Sequence, residues 1–140
     1  MSRAMIQTMN WRYKLLRIDS VGGLIVGLVM LLLSNYLVSW YMLPRGFIVF
    51  IALANVAYGC YSFSLLVRIK RPLSLIVLLV IANLVWAMLC MLWVVIFAQT
   101  ASFFGIAHLL GEALFVGGLA YLEWRNRDLL LTNPSRLEQH

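Results

Sequence analysis

His108 and Glu112 stand four residues apart in a long apolar run, Gly105-Ile106-Ala107-His108-Leu109-Leu110-Gly111-Glu112. On a helix that spacing stacks both side chains on one face, a turn apart. A carboxyl surrounded by hydrocarbon is costly, so an acid kept there marks a functional site by default. Glu112 could exchange a proton or act as the counter-charge for a cation. His108 could donate a charge-assisted hydrogen bond that orients it. The blander reading makes Glu112 a carboxyl hydrogen-bonded to a neighbour such as Asn55, and His108 a residue that holds helices together. No metal is expected, because a catalytic metal normally takes about three protein ligands and no third strong ligand accompanies the pair. No cofactor is expected either, since phosphate-binding, dinucleotide, Cys-x-x-Cys and serine-nucleophile motifs are all missing.

The elements that hold this pair follow from composition. Of 140 residues, 64% are hydrophobic and 11% charged, against roughly a quarter charged in an ordinary soluble domain. No soluble fold of this length could hide so much apolar surface. The net charge of +6 gathers at the ends of apolar runs, which signals membrane topology and lipid headgroup contact and excludes a nucleic-acid footprint. Cys60 and Cys90 match no metal or redox spacing and read as small core residues.

The fold class expected is all-α, an integral membrane four-helix bundle. Spans are placed at about 20–41, 47–67, 73–97 and 103–124, each long enough for a hydrocarbon core of roughly 30 Å. Asp19 or Ser20 is expected to cap the first span. Residues 1–18 read as a basic segment with a short amphipathic helix in the headgroup layer, and 125–140 as a polar tail. Ten of the eleven Lys and Arg flank the N-terminus, the second loop and the tail, with only Arg45 in the other loops. That imbalance puts both termini in the cytoplasm, and the chain reads as a multi-pass protein of a bacterial inner membrane.

Depth along helices of known direction follows from a rise of about 1.5 Å per residue. Glu112 falls roughly 13 Å below the outer surface, Asn55 roughly 12 Å, and Tyr58 and Trp86 roughly 16 Å. These residues, with His108 and Asn83, are the expected lining of an outward-facing polar pocket. The inner half reads as aliphatic apart from Ser62 and Ser64, with Glu123 at the inner interface. Gly23, Gly27, Gly59, Gly111 and Gly118 read as helix-packing positions, since small residues let backbones approach in lipid.

The His108-x-x-x-Glu112 pair resembles a pattern of the sterol isomerase family, whose members protonate a sterol double bond with buried acids. The size and four spans resemble the broad DoxX-type group. Neither resemblance extends to a shared motif, and no family is assigned from them. The expected function is binding or transport of a small, partly apolar or cationic ligand, with the bilayer as constant partner. The alternatives are an accessory subunit, packing as a homodimer or in a larger membrane complex, and an enzyme transferring protons on a lipid or isoprenoid.

Overall fold

In a computed structural model of the chain, residues 3–68 and 71–130 are described. They are helical throughout except for short connections: α1 (Arg3–Leu32), α2 (Ser34–Tyr41), α3 (Arg45–Val67), α4 (Leu73–Phe97), α5 (Phe103–Arg125) and α6 (Arg127–Leu130). Four helices are long and apolar enough to cross a membrane, over Lys14–Leu32, Arg45–Val67, Leu73–Phe97 and Phe103–Arg125. A hydrocarbon solvent leaves no water for backbone groups, and a helix satisfies them within one segment.

The breaks follow local chemistry. Pro44 and Pro72 stand at the N-caps of α3 and α4 with extended ψ angles of 137° and 149°, since each lacks the N–H that would continue a preceding helix. Met42 closes α2 in the left-handed region, at φ 53°. Ser102 caps α5, its hydroxyl accepting from the Gly105 amide at 3.2 Å. The same residue ties the α5 end to α2: its hydroxyl donates to the Trp40 carbonyl and its amide to the Tyr41 carbonyl at 2.9 Å. Carbonyls orphaned by the end of α2 are thereby satisfied.

The first transmembrane element differs from expectation. A cap at Asp19 or Ser20 is absent, because α1 continues unbroken from Arg3 to Leu32 and then breaks at Leu33. Residues 3–18 are therefore continuous with the first apolar span and form no separate helix. Leu15 and Leu16 are buried at their end, Leu16 in a cluster with Leu65, Ile76, Leu79 and Leu130. The side chains of residues 1–13, on which the amphipathic pattern expected in 1–18 largely rests, and the tail beyond residue 130 lie outside the described ones. Cys90 is buried as expected, but Cys60 is exposed on the helix surface.

The helices associate as two close pairs, α1 along α3 and α4 along α5, with slight contact between α1 and α5. Glycine makes the first pair possible. A Cβ on Gly27 would sit 2.7 Å from the Ala52 carbonyl oxygen, and one on Gly59 would sit 2.7 Å from the Leu24 amide. Gly23 is nearly as tight, with the Asn55 carbonyl at 3.2 Å. Gly111 and Gly118 make no such contact within the chain, since a Cβ at either meets nothing within 4 Å. Between the pairs, α3 and α4 exchange aromatic contacts, with Phe47 edge-on to Trp93 at 5.0 Å and Phe50 to Trp86 at 6.3 Å.

Gly27→Ala is expected to destabilise the protein by about 1–3 kcal/mol, because backbone atoms cannot move aside as a side chain can. Gly118→Ala should be neutral or slightly stabilising, as its position is open and Ala favours the helix by about 1 kcal/mol. Denaturant titration of both variants in detergent micelles checks the contrast.

Candidate functional site

Glu112 lies about two-fifths of the way along α5, 9% exposed, and its carboxylate is held from three helices. Oε1 accepts from Asn55 Nδ2 of α3 at 2.6 Å and from Trp86 Nε1 of α4 at 2.7 Å. Asn55 spends its amide fully, with a second bond from Nδ2 to the Ile51 carbonyl at 3.1 Å one turn back. Oε2 faces His108 Nε2 at 3.2 Å along the same helix. The His108 ring in turn lies against Tyr41, centroids 5.3 Å apart. Two short donors on one oxygen fix the carboxylate's orientation and leave the other oxygen to the histidine.

A cavity of about 260 Å³ opens beside this carboxylate, between α1, α3 and α5. His108, Gly111, Glu112 and Phe115 line it from α5, Asn55 and Tyr58 from α3, and Asp19, Gly22 and Gly23 from α1. Gly22 keeps its wall low, since a Cβ there would meet the Phe115 ring at 3.3 Å. An apolar cavity of about 150 Å³ accepts a benzene ring, and drug-sized pockets begin near 300 Å³. The space suits one small molecule or a few waters.

Of the six residues expected to line one pocket, five meet around Glu112 or its cavity: His108, Asn55, Tyr58 and Glu112 line it, and Trp86 bonds to the carboxylate. Asn83 does not join them. Its Nδ2 donates to Glu123 Oε2 at 3.0 Å, further along α5. Tyr58 lines the cavity but directs its hydroxyl to Asp19 Oδ2 at 2.6 Å. Ser62 donates to that same oxygen at 2.6 Å.

A second polar cluster therefore occupies the half expected to be aliphatic. Glu123 is 0% exposed and Asp19 1%, which turns Glu123 into the bundle interior and corrects the placement of Asp19 at a helix cap. The two carboxyls are within electrostatic reach of each other. Glu123 Oε1 has no hydrogen-bond partner among the described residues. The sequence carried a signal for both. Glu123 follows Glu112 by eleven residues, close to three turns of about 3.6 residues each, and so shares its face. Asp19, Gly23 and Gly27 share a face in the same way, at intervals of four.

Among the described residues no group of three or more His, Cys, Asp or Glu side chains is arranged to hold a metal. Compared with protein-family models, curated proteins and solved structures, the chain matches none of them. The class that fold and site define is a helical protein with four apolar helices able to cross a membrane and two acid sites buried among them.

Asn55→Ala is expected to cost about 1–2 kcal/mol, the range of an interhelical hydrogen bond in lipid. Trp86→Phe removes the other donor to Oε1, and the double variant should lose more than the sum, because each donor then has no substitute. A double-mutant cycle by denaturant unfolding in micelles reads the coupling.

Proposed function

We propose that this is an integral membrane four-helix bundle that binds a small, partly apolar or cationic ligand in the cavity beside Glu112. The observation that carries the reading is the coincidence of a buried, oriented carboxylate with a space of about 260 Å³ walled by apolar and small residues. Glu112 supplies the counter-charge and His108 orients its second oxygen. Asn55 and Trp86 hold the first oxygen still, so the site is pre-formed and little ordering is needed on binding. The size of the space favours a ligand somewhat larger than benzene and below drug size.

Access is inferred from the packing. The cavity has walls from α1 and α5, which touch only slightly, and a back wall from α3. Val26 and Phe115 on its rim are 37% and 46% exposed, so a ligand dissolved among acyl chains meets apolar groups first and the carboxylate last. The presence of Asp19 and Glu123 removes one objection to proton-transfer chemistry, the want of a second acid. The binding reading is preferred because the acid with a cavity, Glu112, is also the one whose Oε1 is held by two short donors.

Both termini are placed in the cytoplasm on the basis of the Lys and Arg distribution. Glu112 and His108 then sit toward the outer face, with Asp19 and Glu123 toward the inner one. A fluorescent protein fused at the C-terminus should fold and emit, whereas an exported alkaline phosphatase fused there should stay inactive. The reverse pattern would invert the assignment.

Titrating purified protein with tetraethylammonium should change the fluorescence of Trp86, whose indole bonds to Glu112, in a saturable way. Glu112→Gln should abolish that response, and Trp86→Phe should remove its optical signal. An equal response in wild type and Glu112→Gln would end the proposal.

A further inference from the structure

Asp19 and Glu123 stand apart from the ligand reading, and their surroundings carry an inference of their own. One carboxyl comes from each helix pair: Asp19 from the α1–α3 pair and Glu123 from the α4–α5 pair. Facing them are Tyr58 and Ser62 from α3, Asn83 from α4, and each other across the seam. None of these groups is basic, and neither carboxyl has a cationic partner among the described residues. Two buried carboxyls within electrostatic reach of one another resist being ionised together without such a partner.

The hydrogen bonds distinguish the two members. Asp19 Oδ2 accepts two hydroxyl donors at 2.6 Å each, from Tyr58 and Ser62, the pattern that stabilises an anion. Glu123 receives a single amide bond on Oε2, at 3.0 Å. Its Oε1 is fully buried with no hydrogen-bond partner among the described residues. That unpartnered oxygen is the position at which the Glu123 carboxyl can carry a proton.

We infer that Asp19 and Glu123 form a proton-binding site, in which the pair holds one exchangeable proton on Glu123 Oε1. On uptake the proton passes from hydronium to Oε1 and leaves water behind. On release it returns to water, and Asp19 and Glu123 are then both ionised, the state that burial and mutual repulsion disfavour. Asp19 also lines the cavity beside Glu112, so the pair is linked to that space through one of its own members.

The test is infrared difference spectroscopy of the full chain in lipid nanodiscs, following the C=O stretch of neutral carboxyl groups through a pH titration. Wild type should show such a band at neutral pH, lost in Glu123→Gln and kept in Glu112→Gln. Retention of the band for Glu112→Gln separates this site from the ligand site, whichever way the tetraethylammonium experiment falls. Asp19→Asn removes the neighbouring negative charge, so proton affinity at Glu123 should fall at least about tenfold, one unit on the pH axis. Should Glu123→Gln not fold, Asp19→Asn still decides, because its effect is read on the native Glu123. A wild-type spectrum without the band, or a band untouched by both substitutions, overturns the inference. So does a band that sodium abolishes at constant pH when choline does not, since the pair would then hold a metal cation.

Discussion

A single carboxylate oxygen joins the two halves of this molecule. Glu112 Oε1 accepts from Asn55 of α3 and from Trp86 of α4 while its own backbone belongs to α5. The bond from Asn55 is a buried side-chain hydrogen bond that crosses from one helix pair to the other. In hydrocarbon the hydrophobic effect gives helices no reason to prefer one another over lipid, so packing and polar bonds decide their arrangement. A buried acid is costly alone. Two short donors offset that cost and at the same time fix which helices must meet, so the group that looks most expensive also specifies the assembly.

Around this junction the two pairs are built by different means. Glycine brings α1 and α3 together until backbones touch, with Gly27 against the Ala52 carbonyl and Gly59 against the Leu24 amide. The second pair relies on side-chain bonds along its length, Trp86 to Glu112 and Asn83 to Glu123. Rings fill the remaining space between α3 and α4, where Trp93 meets Phe47 and Phe50 edge-on. The large side chains left exposed, among them Leu114, Val95 and Leu32, are those a bilayer would cover.

Much of this was legible in the sequence, and the reasons for what was missed are physical. Length and apolar content set the helices, because only internal hydrogen bonding is tolerated in hydrocarbon. Pro44 and Pro72 marked two breaks, and the spacing of His108 and Glu112 placed them on one face. The partners Asn55 and Trp86 could be guessed from depth alone. Depth could not give the direction of the Tyr58 hydroxyl, because it says nothing about rotation of a helix about its axis. Asn83 lies more than two turns of helix below the outer end of α4, further than Glu112 lies below that of α5, and so deeper. Asp19 was misread because Asp at the edge of an apolar run is a frequent N-cap, and a charge-rich stretch before it hid the continuity of α1. Glu123 was misread for a similar reason: Trp124, Arg125 and Arg127 beside it made the whole turn look interfacial. Periodicity counted back from Glu112 would have turned it inward.

The slight contact between α1 and α5 has a mechanical consequence. Each pair is stiff internally, the first through interlocked backbones and the second through its ladder of side-chain bonds. Resistance to deformation is lowest at the seam, where a few bonds and ring edges span the gap. Lateral pressure or a change in bilayer thickness is therefore absorbed there, as a widening or narrowing of the cleft, before either pair is disturbed. Asp19 and Glu112 border that gap from opposite sides, so the distance between them is set by how the two pairs sit against each other.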